Sequence, residues 1–256
     1  MSDQARDPGQ PGTTHFGFRD VPVAEKQKLV GEVFSSVAGK YDLMNDAMSL
    51  GIHRLWKRYF VATAQVGRGD RVLDLAGGTG DIAALLRPRV GDSGEIVLGD
   101  INGDMLRVGR DRMIDRGNVR GFEYVQCNAE ALPFPDASFN LVTIAFGLRN
   151  VTDKDAALRE MHRVLKVGGQ ARVLEFSEVK ADWFKPVYDF HSFQVLPRLG
   201  RLFAQDAGSY RYLAESIRRH PPQAELRAMM ETAGFERCAW RDMNGGIVAI
   251  HSGHKV

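Results

Sequence analysis

A glycine-rich segment carries the most specific chemical signal in the 256-residue sequence. Residues 72–81 read Val-Leu-Asp-Leu-Ala-Gly-Gly-Thr-Gly-Asp, so a glycine turn follows an apolar run of strand length and precedes a helical pattern. Such a turn brings backbone N–H groups at a helix N-terminus close to a bound nucleotide. Gly78, Gly80 and Ala83 match the dinucleotide pattern G-x-G-x-x-A. The segment therefore predicts a cofactor that contains a nucleoside, without deciding which one.

Two acids beside the turn, Asp74 and Asp81, distinguish between classes of cofactor. Carboxylates would repel a pyrophosphate, whereas the ammonium and the sulfonium of S-adenosyl-L-methionine are cations that carboxylates attract. We therefore expect S-adenosyl-L-methionine rather than a dinucleotide. For either acid alone a structural role is equally open, because Asp81 could cap the following helix and Asp74 could accept N–H bonds within the loop.

Two further polar side chains follow the ends of predicted strands. Asp100 comes directly after an apolar run at 96–99, twenty residues after Gly80, and Asn128 follows the third strand. Ligands of open α/β sheets bind at the carboxyl ends of the strands. We expect Asp100 to bind the ribose hydroxyls, with helix capping as the alternative. Asn128 is expected at the adenine edge, with a turn role as the alternative.

A sheet must position these residues, and the apolar pattern of the sequence predicts one. Strand-length runs alternate with helical segments from residue 71 to residue 176, which is typical of a parallel sheet covered by helices on both faces. The predicted strands are 71–76, 95–99, 122–127, 139–146 and 170–176, and the helices between them include 82–90, 105–115 and 154–164. Asn244-Gly245-Gly246 then joins two last strands in an antiparallel hairpin.

The remaining segments complete a single α/β domain. Residues 1–22, rich in Gly and Pro, are expected to form a mobile tail without an export address, and the domain itself spans 23–256. Within it, 23–69 is expected to be a helical extension, and the aromatic-rich segment 178–222 is expected to be an inserted lid.

Composition excludes several classes of function. The chain has 34 Lys and Arg against 32 Asp and Glu, a net charge of +2, so neither a polybasic nucleic-acid binder nor a disordered chain is indicated. Its two cysteines, Cys127 and Cys238, suggest neither a disulfide framework nor a zinc site, and no metal is expected. No run approaches the roughly 18 apolar residues of a membrane span. A cytoplasmic protein is expected.

Five sequence blocks make the chain resemble a known family. They are residues 14–18 (THFGF), 40–46 (KYDLMND), 51–57 (GIHRLWK), 146–151 (FGLRNV) and 209–217 (SYRYLAESI). With the glycine loop they resemble the class I S-adenosylmethionine-dependent methyltransferases, and among these the ubiquinone/menaquinone biosynthesis C-methyltransferase family. The resemblance implies a Rossmann-like sheet of seven strands, mostly parallel, with the antiparallel hairpin at its end. It also implies methylation of a ring carbon of a polyprenylated methoxy-benzoquinol or of demethylmenaquinol.

The resemblance also assigns roles to individual residues. Thr79, Asp100, Asn128 and Ala129 match the family's cofactor contacts. Together with the loop, the candidate cofactor residues are Asp74, Gly77, Gly78, Thr79, Gly80, Asp81, Asp100, Asn128 and Ala129.

The acceptor chemistry points to a second pair of residues. A ring carbon accepts a methyl group readily once the neighbouring hydroxyl, with a pKa of about 10, loses its proton. Arg149 and Asn150, just past a strand end, are the candidates to stabilise the resulting oxyanion. The proton acceptor stays unassigned.

Three other functions remain open, namely a nicotinamide-dependent oxidoreductase, a non-catalytic cofactor-binding subunit of a quinone-synthesis assembly, and an RNA methyltransferase. Expected partners are the polyprenyl quinol, the inner face of the membrane through a peripheral contact, and other quinone-synthesis enzymes, with no nucleic acid. The helix that contains Trp56 is either a membrane contact or an ordinary core helix. Oligomeric state and the choice between benzoquinol and naphthoquinol stay open.

Overall fold

The computed structural model describes residues 12–37, 46, 49, 51–180 and 207–256. The strands in these ranges are β1 (Thr13–Phe16), β2 (Arg19–Pro22), β3 (Arg71–Leu75), β4 (Glu95–Asp100), β5 (Phe122–Gln126), β6 (Phe139–Ala145), β7 (Leu165–Phe176), β8 (Glu236–Met243) and β9 (Val248–His254). The α-helices are α1 (Val23–Val37), α2 (His53–Ala62), α3 (Asp81–Val90), α4 (Gly103–Asp115), α5 (Lys154–Val164), α6 (Ala207–Arg218) and α7 (Gln223–Thr232). Short 3₁₀ turns lie at Leu148–Asn150 and Asn244–Gly246.

Seven strands form one sheet in the order β5-β4-β3-β6-β7-β9-β8. The first five pair in parallel, whereas β9 is antiparallel to both β7 and β8. The predicted α/β fold with a terminal hairpin is confirmed. The chain leaves β3 towards β4 and β5 and then crosses back to β6, so the strand order reverses between β3 and β6. A crevice at the carboxyl ends of such a pair is where open α/β sheets bind ligands.

Both faces of the sheet are covered, which explains the continuous apolar runs of the strands. Successive side chains of a strand point to opposite faces. On β3, fully buried Val72 belongs to the core formed with α2 and α3, and fully buried Leu73 belongs to the core formed with α5 and α7. The two cores hold the strand ends in a fixed register below the crevice.

The aromatic face of α2 belongs to the core. Trp56 is only 3% exposed, and its indole Nε1 donates a hydrogen bond of 2.7 Å to Asn244 Oδ1. Its ring packs edge-on against Phe176 and tilted against Phe146. Of the two interpretations of this helix, the core helix is the one observed, because the Trp56 side chain is not available to a membrane.

The N-terminal segment is more ordered than the expected tail. Residues 13–22 form an antiparallel hairpin, β1–β2, that turns through Gly17 and Phe18, with Gly17 at a φ of +60°. The hairpin forms because Phe16 is buried and its ring stacks on that of Tyr212, with centroids 4.2 Å apart. The tail prediction is therefore wrong for residues 13–22, and residues 1–11 lie outside the described part of the chain.

Most of the predicted lid, 178–222, also lies outside the described residues. Of this range the structure describes residues 178–180 and 207–222, and α6 packs beside the N-terminal hairpin and the 3₁₀ turn at Leu148–Asn150. Among the described helices, none has the length and apolar character needed to cross a bilayer.

Candidate active site

A cavity of about 280 Å³ lies at the carboxyl ends of β3, β4, β5 and β6, where the strand order reverses. Its floor includes residues that follow each of these strands: Ala76, Gly78, Asp100, Asn128, Phe146 and Asn150. Its roof is formed by one side of α1: Val23, Ala24, Gln27, Val30, Gly31 and Phe34. The helical extension predicted from the sequence therefore covers the site.

The glycine loop provides bare backbone on the floor of the cavity. Gly78 has a φ of +53°, and a Cβ built on it would lie 3.1 Å from Met105 Cε and 3.9 Å from Asp100 Oδ2. A side chain there would fill space next to the carboxylate. Gly77 packs even more closely, since a Cβ would lie 2.4 Å from Leu98 Cδ1. The loop can hold its shape only with glycine at these positions.

Asp100 is one of two acids that line the cavity, with Glu130. Its Oδ2 accepts a hydrogen bond of 2.9 Å from the Gly78 N–H, and its Oδ1 accepts one of 2.9 Å from the Asn102 N–H. Burial raises the pKa of Asp100 to about 6. The cap of α4 is Asn102, whose Oδ1 accepts from the N–H groups of Asp104 and Met105. Helix capping is therefore not the role of Asp100, and ribose binding stays a prediction.

Asn128 and Ala129 also line the cavity. Asn128 Oδ1 accepts a 3.0 Å hydrogen bond from the N–H of Glu130, which is the local turn role that the sequence left open. Glu130 lines the cavity too, and its Oε1 accepts from the N–H of Thr152. Glu130 was not among the predicted site residues, although it directly follows the predicted Asn128–Ala129 pair.

The two acids that flank the glycine turn do not line the cavity. Asp81 Oδ2 lies 2.8 Å from Lys57 Nζ, and although burial opposes it, this ammonium lowers the pKa of Asp81. Asp74 is fully buried, and its Oδ1 accepts a 2.8 Å hydrogen bond from Thr143 Oγ1. Burial raises the pKa of Asp74 to about 7. Neither carboxylate therefore faces the cavity as a free charge, because Asp81 pairs with Lys57 and Asp74 is fully buried.

The predicted cofactor residues thus divide into two sets. Those that line the cavity are Gly78, Asp100, Asn128 and Ala129. Those that lie outside the lining are Asp74, Gly77, Thr79, Gly80 and Asp81.

Arg149 and Asn150 lie on the short 3₁₀ turn after β6, but only Asn150 lines the cavity. Arg149 Nη1 forms a buried ion pair of 2.9 Å with Glu175 Oε1 and also donates to the Phe146 carbonyl. Glu175 Oε2 accepts from the Arg149 N–H at 3.2 Å. The guanidinium therefore braces the turn instead of facing an acceptor. Glu175 was missed, although a Glu within the apolar run of β7 is a signal for a buried partner.

Hydrogen bonds attach α1, the roof, to the residues below it. Asn102 Nδ2 donates to the Gly31 carbonyl at 3.1 Å, and Lys26 Nζ donates to the Val151 carbonyl at 3.3 Å. Lys26 is almost completely buried, and this burial lowers its pKa to about 8. Helix α1 is thus attached to the segments that follow β4 and β6.

Gly147→Ala is expected to damage the site because two loops touch at this position. A Cβ on Gly147 would lie 2.4 Å from the Ala76 Cβ, and both Ala76 (φ 48°) and Phe146 (φ 56°) already adopt the left-handed region. We expect a loss of about 2 kcal/mol in the free energy of unfolding together with weaker cofactor binding. Denaturant unfolding and calorimetry measure both. Gly67→Ala, where a Cβ would make only an ordinary 3.8 Å contact, is the matched control, and equal behaviour of the two variants would contradict the prediction.

The lining fits S-adenosyl-L-methionine. The Asp100 carboxylate has lone pairs free beyond its two backbone bonds and can accept from ribose hydroxyls. Ala129 and Met105 offer apolar surface to a flat base, and the bare Gly78 backbone leaves room beside the carboxylate. The Asp100 acceptor and the apolar surface beside it therefore suit a nucleoside.

Solved structures of other proteins share the fold. A S-adenosylmethionine-dependent methyltransferase of Thermotoga maritima is similar with a TM-score of 0.60 at 21% identity, over 88% of this chain and 99% of that one. The [4+2]-cyclase SpnF is similar with a TM-score of 0.65 at 17% identity, over 90% of this chain and 96% of its own. Because one of the two is a cyclase, these likenesses show the fold and not the reaction.

Sequence relatives are much closer. The chain is 77% identical over 245 residues to the ubiquinone/menaquinone biosynthesis C-methyltransferase UbiE of Xanthomonas campestris, covering 96% of this chain and 97% of that protein. It is 75% identical over 249 residues to the protein of the same name from Stenotrophomonas maltophilia, covering 97% and 98%. The model of the ubiE/COQ5 methyltransferase family matches residues 22–255. The chain therefore belongs to the ubiE/COQ5 methyltransferase family, and S-adenosyl-L-methionine is its cofactor.

Proposed function

We propose that the protein transfers a methyl group from S-adenosyl-L-methionine to a ring carbon of a polyprenylated quinol in ubiquinone or menaquinone biosynthesis. The observation that carries the proposal is the near-full-length similarity to proteins of that name, combined with one cavity that holds Asp100 and Asn150 together. Neither the family nor these relatives support a nicotinamide-dependent oxidoreductase or a non-catalytic subunit.

We propose that the cavity floor binds the cofactor through Asp100, Asn128 and Ala129. Asp100 accepts hydrogen bonds from the ribose hydroxyls, and Asn128 lies near the adenine edge, with the Gly78 backbone beside them. When bound, the cofactor supplies an electrophilic methyl group on a sulfonium. The two carboxyl-end loops after β3 and β6, in contact at Ala76 and Gly147, then fix the distance between the cofactor and the acceptor.

We propose that Asn150 is the catalytic residue that contacts the acceptor and that Arg149 positions it. Asn150 lines the cavity and can donate to the acceptor oxygen as that oxygen becomes an oxyanion, which lowers the pKa of the hydroxyl. Arg149 acts through the turn, because its guanidinium is committed to Glu175 and to the Phe146 carbonyl. The apolar roof of α1 excludes water from this step, which neutralises a sulfonium and an oxyanion.

Cofactor affinity is expected to depend on pH through Asp100. Since burial raises its pKa to about 6, the carboxyl is ionised above that pH and neutral below it. The ionised form accepts from the ribose hydroxyls, so affinity is constant near pH 8 and falls by up to about tenfold for each pH unit below the pKa. Calorimetry across this range checks the sign. Asp100→Asn removes the titrating group and should flatten the profile, whereas a flat profile in the unaltered protein would contradict the assignment.

The acceptor places the reaction next to a membrane, because a polyprenyl chain partitions into the bilayer. We propose a peripheral contact through a part of the surface other than the buried face of α2. Val23 supports this proposal, since it lines the cavity and is 46% exposed at its edge. Co-sedimentation with liposomes that contain the quinol tests it, and protein that stays in the supernatant would count against it. Contact with other quinone-synthesis enzymes stays a prediction.

The quinones of cells with and without the protein test the proposed function. Loss of the protein should cause a quinol that lacks one ring methyl group to accumulate, and mass spectrometry of extracted lipids identifies whether it is a benzoquinol, a naphthoquinol or both. Restoring the unaltered chain should return the methylated quinone. An unchanged quinone profile would overturn the proposal.

A further inference from the structure

Tyr212, on α6, contacts the active-site amide from behind. Its O–H donates a hydrogen bond of 3.0 Å to Asn150 Oδ1, and its ring is held by stacking on Phe16 of the N-terminal hairpin. The side chain of Tyr212 is almost completely buried. The contact therefore connects three parts of the chain, the hairpin, α6 and the turn after β6, at the wall of the cavity.

The direction of this hydrogen bond determines which end of the amide is available. If the amide were reversed, the buried hydroxyl proton of Tyr212 would have no acceptor among the described residues, and a buried donor without a partner is costly. With Oδ1 taken by the hydroxyl, Asn150 Nδ2 remains, and within the described part of the chain it has no hydrogen-bond partner. Burial raises the pKa of Tyr212 to about 12, so the hydroxyl keeps its proton and stays a donor at neutral pH.

We propose that Tyr212 is a positioning residue that orients the Asn150 amide so that Nδ2 donates to the acceptor oxygen during methyl transfer. The inference rests on the proposed function, because it needs an acceptor oxygen that becomes negative. An amide N–H2 stabilises an oxyanion, whereas an amide oxygen in the same place would repel it. Tyr212 thus sets the polarity of the cavity wall without touching the acceptor.

Tyr212→Phe removes only the hydroxyl and keeps the ring that stacks on Phe16. We expect kcat to fall about tenfold, while the cofactor Kd and the KM for the quinol change by less than about twofold. The rising limb of the pH profile of kcat should move to higher pH, because a freely rotating amide lowers the pKa of the acceptor hydroxyl less effectively. A higher quinol concentration should restore neither kcat nor the pH profile.

Two further variants separate positioning from a structural role. In an Asn150→Ala background, Tyr212→Phe should cause no additional loss of kcat, since the amide that it orients is absent. Tyr124→Phe, the same chemical change at a partly buried position on β5, should leave kcat and its pH profile unchanged.

The outcomes discriminate between the two proposals. An unaltered kcat and pH profile in Tyr212→Phe, or a further tenfold loss of kcat in the Asn150→Ala background, overturns the positioning role while the unaltered protein still methylates the quinol. Failure of the unaltered protein to methylate any quinol overturns the proposed function and the positioning role together.

Discussion

Arg149→Ala is expected to lower kcat by roughly a hundredfold while cofactor affinity stays within about threefold of normal. The Arg149 guanidinium does not line the cavity, so its loss acts through geometry. Without it the Phe146 carbonyl and the Glu175 carboxylate lose a partner, and the 3₁₀ turn that carries Asn150 is free to shift. A displacement of about 1 Å at a reacting centre is enough for a loss of that size.

The same substitution is expected to destabilise the fold. The ion pair is nearly inaccessible, with the Arg149 and Glu175 side chains 2% and 1% exposed, and removing one partner leaves an uncompensated buried charge. We expect a loss of about 3 to 5 kcal/mol in the free energy of unfolding. Double replacement of the pair by Met and Leu should recover much of this stability without recovering kcat.

A control variant with a similar loss of stability separates the effect on kcat from the effect on the fold. Leu226→Ala empties a fully buried site in the core between α7 and the sheet, away from the cavity, and should cost about 2 to 5 kcal/mol. Its kcat, measured below its unfolding temperature, should remain normal. A normal kcat in Arg149→Ala under the same conditions would remove Arg149 from the catalytic account.

Asp100→Ala is expected to weaken cofactor binding by about a hundredfold, with kcat at saturating cofactor changed by less than about threefold. The carboxylate orders the glycine loop through the Gly78 N–H, and it lines the floor where we propose that the ribose binds. Its removal deletes the charge-assisted bonds to the ligand and loosens the loop at the same time.

Calorimetry measures the change in Kd directly. Asp111→Asn provides the matched control, because Asp111 lies on the exposed side of α4 and pairs only with Arg110 among the described contacts. That variant should bind the cofactor normally. An unchanged Kd in Asp100→Ala would show that the cofactor is held elsewhere and would contradict the description of the floor.

The parallel sheet was predictable because its strands are buried on both faces. In β6, for example, the four consecutive residues from Leu141 to Ile144 are all buried. In a chain of this composition, such a run indicates a strand that is covered on both faces. The N-terminal hairpin was not predictable in the same way. Its strands are only four residues long, and what stabilises them is a ring, Tyr212, that lies far away in the sequence.

The candidate site was predictable in position but not in the roles of its residues. Strand ends and glycines located Gly78, Asp100 and Asn150 correctly at one cavity. The sequence could not show that Glu175, 26 positions from Arg149, would take the guanidinium. Such burial and pairing are properties of the tertiary structure, since they depend on which strands become neighbours.

Labelled methyl transfer by the purified protein shows whether the protein methylates a ring carbon of a quinol. The reaction would contain S-adenosyl-L-methionine with a trideuterated methyl group and a reduced, short-chain prenyl quinol that lacks one ring methyl group. We expect a product with the label on a ring carbon and both hydroxyls free, as mass spectrometry and NMR would show, and much less product from Asn150→Ala within the same time. A label on oxygen, or no labelled quinol at all, would contradict it.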